Sequence, residues 1–361
     1  MSSTYGENLK LSIFGQSHGA AIGMTLDGIP AGLPVDTDAL QIFLNRRARS
    51  ERLVNAAKGS RPAGISLRNS GRLHLRRTHC RRHLQQKHPL RGLRQSEGLP
   101  RPGHADLTAQ IKYGGFQDAA GGGHFSGRLT AALHCGRTVQ TMAGGHGNSG
   151  FRPYCRHCGH FRHAFDPLAP DMDSIPPDFP VIKPDAGAQM RDAISAAKGD
   201  GDSVGGIVEC AITGLPAGVG DPMFGSIEIG IPQIVYGVPA VKGVEFGAGF
   251  SAANLRGSQN NDDYVISDGQ IRTVTNNAGG ILGGITTGMP LIFRAALKPT
   301  PSISRPQQSV SLSSGEMQEL VIKGRHDPCI VPRAVPVIEA AAAIAIFDMI
   351  LGNTRTDRRK P

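Results

Sequence analysis

Residues 279–302 read GGILGGITTGMPLIFRAALKPTPS. Two glycine pairs, Gly279-Gly280 and Gly283-Gly284, are each followed by an apolar residue. The stretch closes on Lys298-Pro299-Thr300-Pro301-Ser302. Glycine lets backbone amides approach a flat or anionic ligand with no Cβ in the way. Lys298, Thr300 and Ser302 at a spacing of two put one cation and two hydroxyls on one side of an extended, proline-stiffened segment. That is a grip for a phosphate. The plainer reading is a glycine-rich hairpin ending in a polar turn, and only the neighbouring motifs choose between the two.

Outward from this stretch the chain has the length for a full core, and no Pro/Ser linker or internal repeat divides it. A single domain over 1–361 is the expectation. The N-terminus, MSSTYGENLKLSIFG, has no basic-then-apolar leader pattern. The longest apolar run, Ala340 to Leu351, is interrupted by Asp348 and reads as a buried helix too short for a bilayer. A soluble, cytoplasmic protein with no membrane role follows, and its six cysteines are expected to stay reduced. The net charge of +10 would point to nucleic acid or acidic ligands. It is concentrated in one place: Arg52 to Ser96 holds twelve Lys and Arg and no acid, so the rest of the chain is slightly acidic.

Residues 9–30, LKLSIFGQSHGAAIGMTLDGIP, alternate apolar and small residues about a Gly-Gln-Ser-His-Gly turn, which predicts two strands with a functional loop between them. Asp36 to Arg47 reads as a short helix, capped by Asp36 or Thr37. Leu40, Phe43 and Leu44 form its inner stripe, and Arg46 and Arg47 lie in its last turn. Asp185 to Lys198 predicts a helix, Gly205 to Ile212 a strand, and Val335 to Leu351 the final helix. Residues 49–98 and 134–164 have a different texture. They hold nine of the thirteen histidines and four of the six cysteines, with no period that would specify a core.

Three groups have the chemistry of a site. Ser17-His18 sits between glycines. His104 sits in Arg101-Pro102-Gly103-His104-Ala105-Asp106, where Asp106 reads as the cap of a helix beginning near Leu107. Arg325-His326-Asp327 follows Lys323-Gly324. Taken singly, each is an ordinary turn. Together they supply loop histidines, a loop aspartate and loop arginines at the edges of glycine-rich segments, which suits proton transfer on an anionic substrate. Cys155-Arg156-His157-Cys158 with His160 and His163 has zinc-like spacing but no second knuckle, so no metal is expected. The basic run 72–94 lacks interleaved aromatics and a helical face, so no nucleic-acid partner is expected either.

At this level of detail the sequence resembles the chorismate synthase family. The matching pieces are FGQSHGAAIG at 14–23, PRPGHAD at 100–106 and KYGGFQDAAGGGHFSGR at 112–128. AVKGVEFGAGF at 240–250, LRGSQNND at 255–262, NAGGILGGITTGMP at 277–290, KPTPSI at 298–303 and GRHDPCIVPRAVPVIEA at 324–340 continue the series. The resemblance implies an α+β sandwich of antiparallel sheets around a helical core, usually a homotetramer. It implies a 1,4-anti elimination of phosphate and the C6 proton from 5-enolpyruvylshikimate 3-phosphate, giving chorismate. Reduced FMN is required, with NADPH where a member reduces its own flavin and an external flavin reductase where it does not.

By motif, the resemblance gives His18 the protonation of departing phosphate, with Ser17 beside it. It gives His104 action on the reduced flavin and Asp327 proton removal. Arg47 and Arg128 match substrate arginines. His124, Phe125, Ser126, Ala240, Gly283, Lys298, Pro299, Thr300, Pro301, Ser302 and Arg325 match the cofactor-binding positions. His124 and Phe125 stand where the family often has arginine and serine.

The resemblance lapses after Ala48, returns at Pro100, lapses after Leu133 and returns near Phe165. Segments of the expected length with the wrong residues read as translation in a shifted frame. Charged, aperiodic sequence in place of core elements removes burial worth several kcal/mol or more from a typical total of about 5–15 kcal/mol, so the chain as written is expected to fold poorly or not at all. A second reading follows, a catalytically inactive relic whose basic insert binds polyanions.

Overall fold

The structure is a computed structural model that describes residues 3–15, 21–30, 36–54, 64–66, 79–84, 98–116, 152–158, 164–176, 179–322 and 326–357. The first sheet is antiparallel, of order β1-β2-β3-β5-β4. Its strands are β1 (Thr4–Tyr5), β2 (Lys10–Gly15), β3 (Ala21–Asp27), β4 (Gly64–Ser66) and β5 (His79–Leu84). The alternation read in residues 9–30 gives the β2–β3 pair, registered Leu11 to Leu26 and Ile13 to Met24. Leu11, Met24 and Leu26 on one face are at most 2% exposed. Side chains two apart share a face, so a strict alternation commits that face to the core.

β6 (Arg152–Cys158), β7 (Gly206–Thr213) and β8 (Val241–Phe246) follow. Then come two hairpins, β9 (Tyr264–Ser267) with β10 (Gln270–Thr273) and β11 (Ile281–Leu282) with β12 (Ile285–Thr286), and the strand β13 (Leu291–Leu297). A second antiparallel sheet has the order β6-β7-β13-β8. β13, from the stretch 279–302, is central to it and pairs with β7 along its whole length. Val208, Cys210, Ile212, Leu291, Phe293 and Ala295 belong to the main core. The opposite face of β7 and β13 carries Ala211 and Ile292, covered by Phe165 and Ile175. A last hairpin pairs β14 (Gln307–Val310) with β15 (Met317–Leu320).

Both atypical segments, read from sequence as having no pattern that would specify a core, contribute strands. β5 pairs with β3 from Ala21 to Leu26, and β6 pairs with β7 from Arg152 to Cys158. A strand joins a sheet through its backbone groups, and those carry no side-chain pattern. Cys210 is disulfide-bonded, against the expectation of reduced cysteines, while Cys329 is free as expected.

Five helices complete the frame: α1 (Thr37–Val54), α2 (Asp106–Lys112), α3 (Pro184–Gly199), α4 (Ile227–Val235) and α5 (Val331–Asp357). Asp36 caps α1, its Oδ1 accepting the Asp38 and Ala39 amides at 3.0 and 2.8 Å. Leu40 and Phe43 are buried as expected. The helix runs on to Val54, so Arg46 and Arg47 lie in its middle and not in its last turn. Arg46 there forms an ion pair with the buried Glu339 of α5 at 3.0 Å.

α5 packs against α1, α4, β6 and β7. From Ala340 to Phe347 every side chain is at most 2% exposed. By length and composition Val331–Asn353 could cross a membrane, contrary to the sequence expectation, but 83% of its most apolar window is buried inside the fold. It is the core helix of this domain. Asp348 interrupts it for a reason: its carboxylate accepts the backbone amides of Glu7, Asn8 and Leu9 at 2.9, 2.7 and 2.6 Å. That contact fastens the start of β2 to the last helix.

Candidate active site

The polar segment 298–302 leaves β13 as an extended strap. Lys298 donates its backbone N–H to the Ala240 carbonyl at 2.9 Å, across an irregularity where the β13–β8 register shifts beyond Ala296. Ala240 has a φ of 76°, a conformation costly to any residue with a Cβ and characteristic of functional positions. Ser203 Oγ donates to the Thr300 carbonyl at 2.7 Å. At Gly205 a Cβ would lie 2.4 Å from the Leu297 carbonyl oxygen and 3.0 Å from the Pro299 nitrogen. The glycine is there for the strap to pass.

Against the strap lies the turn 101–106. Lys298 Nζ donates to the Gly103 carbonyl. Arg101, 7% exposed, donates from Nη1 to Ser302 Oγ at 3.2 Å. Its backbone N–H and Nε donate to Asp106 Oδ2 at 3.1 and 2.7 Å, and Nη2 donates to Oδ1 at 2.8 Å. His104 Nδ1 is 2.7 Å from Asp106 Oδ1. Burial would push the Asp106 carboxyl up, but hydrogen bonds from Arg101 and His104 and the charge of His104 hold it well below the usual carboxylate range. Asp106 is therefore not the helix cap read from the sequence. It is the first residue of α2, and its carboxylate turns back to Arg101 and His104; Ala105 precedes the helix with no side-chain cap bond.

His326 and Asp327 come from the turn before α5. Burial lowers the basicity of His326, and the Arg101 charge lowers it further, against a backbone hydrogen bond to Ile322 and the charge of Asp327. The field of Arg101 thus reaches this turn from the 101–106 side. Asp327 Oδ2 accepts from Arg333 Nη1 on the first turn of α5. His326 Nε2 and Thr300 Oγ1 are buried with no hydrogen-bond partner among the described residues. Buried polar atoms are nearly always paired, so the orphaned Thr300 Oγ1, between Lys298 and Ser302 on the strap, marks a candidate place for a ligand atom.

Of the residues picked from sequence, the structure brings together His104, Lys298, Pro299, Thr300, Pro301, Ser302 and Ala240, with Asp327 on the adjoining turn. Gly283 stands apart. It takes the β11–β12 turn at a φ of 62° with no atom within 4 Å of a Cβ built there, and the adjoining Gly284 carbonyl accepts from Ile227 at the start of α4. Arg47 is half-buried in α1. Ser17, His18, His124, Phe125, Ser126, Arg128 and Arg325 lie outside the described residues, as do His160 and His163; among the described residues no group of three His, Cys, Asp or Glu could hold a metal. Sequence reading missed Arg101, Ser203, Gly205 and Arg333. Arg101 had a usable signal: it stands in the same six-residue turn as His104 and Asp106.

The fold is α+β, and its candidate site joins a histidine–carboxylate pair to a cationic, hydroxyl-bearing strap. The family model for chorismate synthase matches residues 9–351. A chorismate synthase of Lancefieldella parvula is 40% identical over 377 residues, covering 97% of this chain and 96% of its own. One of Thermococcus kodakarensis is 41% identical over 356 residues, with 96% and 97% covered. A solved crystal structure of chorismate synthase agrees in fold at a TM-score of 0.75 and 24% identity, over 97% of this chain and 93% of that one. The chain belongs to the chorismate synthase family, lyases of the shikimate pathway.

Proposed function

We propose that the protein converts 5-enolpyruvylshikimate 3-phosphate to chorismate by 1,4-anti elimination of phosphate and the C6 proton, with reduced FMN as cofactor. The observation that carries this reading is the joining of His104 and its carboxylate to the Lys298–Ser302 strap through Arg101. One element grips an anion and the other exchanges a proton. The strap fits the flavin's phosphate end: Lys298 is a cation, Ser302 a hydroxyl donor, and Thr300 Oγ1 is buried without a partner. Bound there, reduced FMN would lend electron density to the allylic system of the substrate.

The chain's own residues do the rest. Lys298, Thr300 and Ser302 hold the phosphate end, and His104 presents one ring nitrogen while Asp106 holds the other. Asp327, oriented by Arg333, is the carboxylate for removal of the proton. His18, with Ser17 beside it, protonates the leaving phosphate, and Arg47, Arg128 and Arg325 meet the anionic groups. NADPH enters only if the protein reduces its own flavin; otherwise an external flavin reductase supplies it.

Self-association into a homotetramer and a cytoplasmic location belong to the same reading. Supporting assembly, Ile266 and Ile271 face each other across the β9–β10 hairpin while 78% and 74% exposed. The inactive, polyanion-binding alternative gains nothing from relatives matched along nearly the whole chain.

The test is anaerobic phosphate release from the enolpyruvyl substrate. Release that requires reduced FMN is expected. No release with reduced FMN, together with salt-dependent nucleic-acid binding lost on deleting 72–94, would replace this reading with the alternative.

A further inference from the structure

The contacts around His104 carry more than its membership of the site. Its Nδ1 lies 2.7 Å from Asp106 Oδ1 and 3.3 Å from Arg101 Nη2. A guanidinium only donates, and an ionised carboxylate only accepts. The shorter contact is therefore an Nδ1–H donating to Asp106, with Arg101 merely alongside. The carboxylate cannot turn away, because Arg101 holds both of its oxygens from three nitrogens. Arg101 is itself fixed to Ser302, and Lys298 fixes the Gly103 carbonyl one residue before the imidazole.

We propose that Asp106, clamped by Arg101, is the positioning residue for His104. It holds the imidazole as the Nδ1–H tautomer, leaves Nε2 for proton exchange with the bound ligands, and ties that orientation to the Lys298–Ser302 strap. The inference rests on the reading of His104 as a proton-exchanging residue. In this reading Asp106 acts through His104 and not on the ligands, since its carboxylate is taken up by Arg101 and His104. Without its charge, a protonated His104 would stand beside a buried guanidinium with nothing between them. Among the described residues, the charged and titratable groups about the cluster are Asp106 and Arg101 on its own turn, Lys298 on the strap, and His326 with Asp327 before α5.

The test is Asp106→Asn in the full chain, with Asp106→Glu and His104→Gln beside it. In protein without flavin, 15N-histidine NMR should show His104 leaving the Nδ1–H tautomer in D106N. In turnover, kcat should fall about 10- to 100-fold with KM and flavin Kd within about threefold. D106E should keep the Nδ1–H tautomer and recover at least about a third of the parent rate. A D106N protein that keeps tautomer and rate overturns the proposal, as does a D106E protein no better than D106N. If H104Q turns over at the parent rate while D106N still switches the tautomer, the positioning stands and the catalytic reading of His104 falls.

Discussion

Asp348 and Cys329 show how a single residue in this core carries a measurable charge or proton. Asp348 accepts three consecutive amides at the start of β2. Asp348→Ala leaves those donors without an acceptor, and a loss of about 2–4 kcal/mol in denaturant unfolding is expected. Asp348→Asn, which keeps one acceptor oxygen, should lose less. Cys329 is buried, and burial pushes its thiol up to about 11 from 9.0. The folded state therefore holds the proton longer than the unfolded chain does. The contribution is intact below the unfolded value and lost as pH rises toward the folded one. Stability should decline between those two values in C329 protein and decline less in Cys329→Ala. Alkylation at pH 8 should leave the Cys329 peptide unmodified until the protein unfolds. The sequence displayed Asp348 only as a flaw in an apolar run. Its partners are the backbone of residues 7–9, and no side-chain pattern announces a backbone partner some 340 positions away.

At the level of elements, regular alternation and helical period were readable and closely placed. β2, β3, α3 and β7 fall within a residue or two of expectation because each buries one face and its sequence says which. α1 and α5 were read short, the first because its continuation past Arg47 carries no apolar stripe, the second because its two ends, 331–334 and 352–357, lie outside the long apolar run. The strap was readable as polar and proline-stiffened. What lets it pass β7 was not: Gly205 is one glycine of 48, distinguished only by the Leu297 and Pro299 backbone against it. Gly205→Ala should push the strap off Ala240 and Ser203. Flavin affinity is expected to fall at least about tenfold, roughly 1.4 kcal/mol, in a fluorescence titration, with the far-UV spectrum unchanged. Arg101, Asp106 and Arg333 escaped for a related reason. Each acts through another residue, and sequence motifs announce the residue that is served more readily than the one serving it.

Over the whole molecule, two expectations follow from surfaces and segments that no single element explains. The β9–β10 hairpin exposes Tyr264 at 69%, Ile266 at 78% and Ile271 at 74%, a patch that lone soluble proteins seldom leave bare. Light scattering should find an oligomer, and Ile266→Glu should shift it toward smaller species. Residues 49–98 and 134–164 break a resemblance that returns, almost in register, at Pro100 and again near Phe165. A peptide mass map of the protein from its natural source should yield, across these segments, peptides of a neighbouring reading frame; recovery of the Arg/His-rich peptides as written would refute the shifted frame. The N-terminal strands and α5 raise a different matter, one of timing. A ribosome releases β1, β2 and β3 long before Val331, yet the acceptor for residues 7–9 and the buried centre of the domain both arrive with α5. Among the described residues no earlier helix supplies that acceptor or that centre. The apolar face of the first strands therefore waits, uncovered, until residues 331–357 have been made, and the N-terminal sheet is expected to close late in folding.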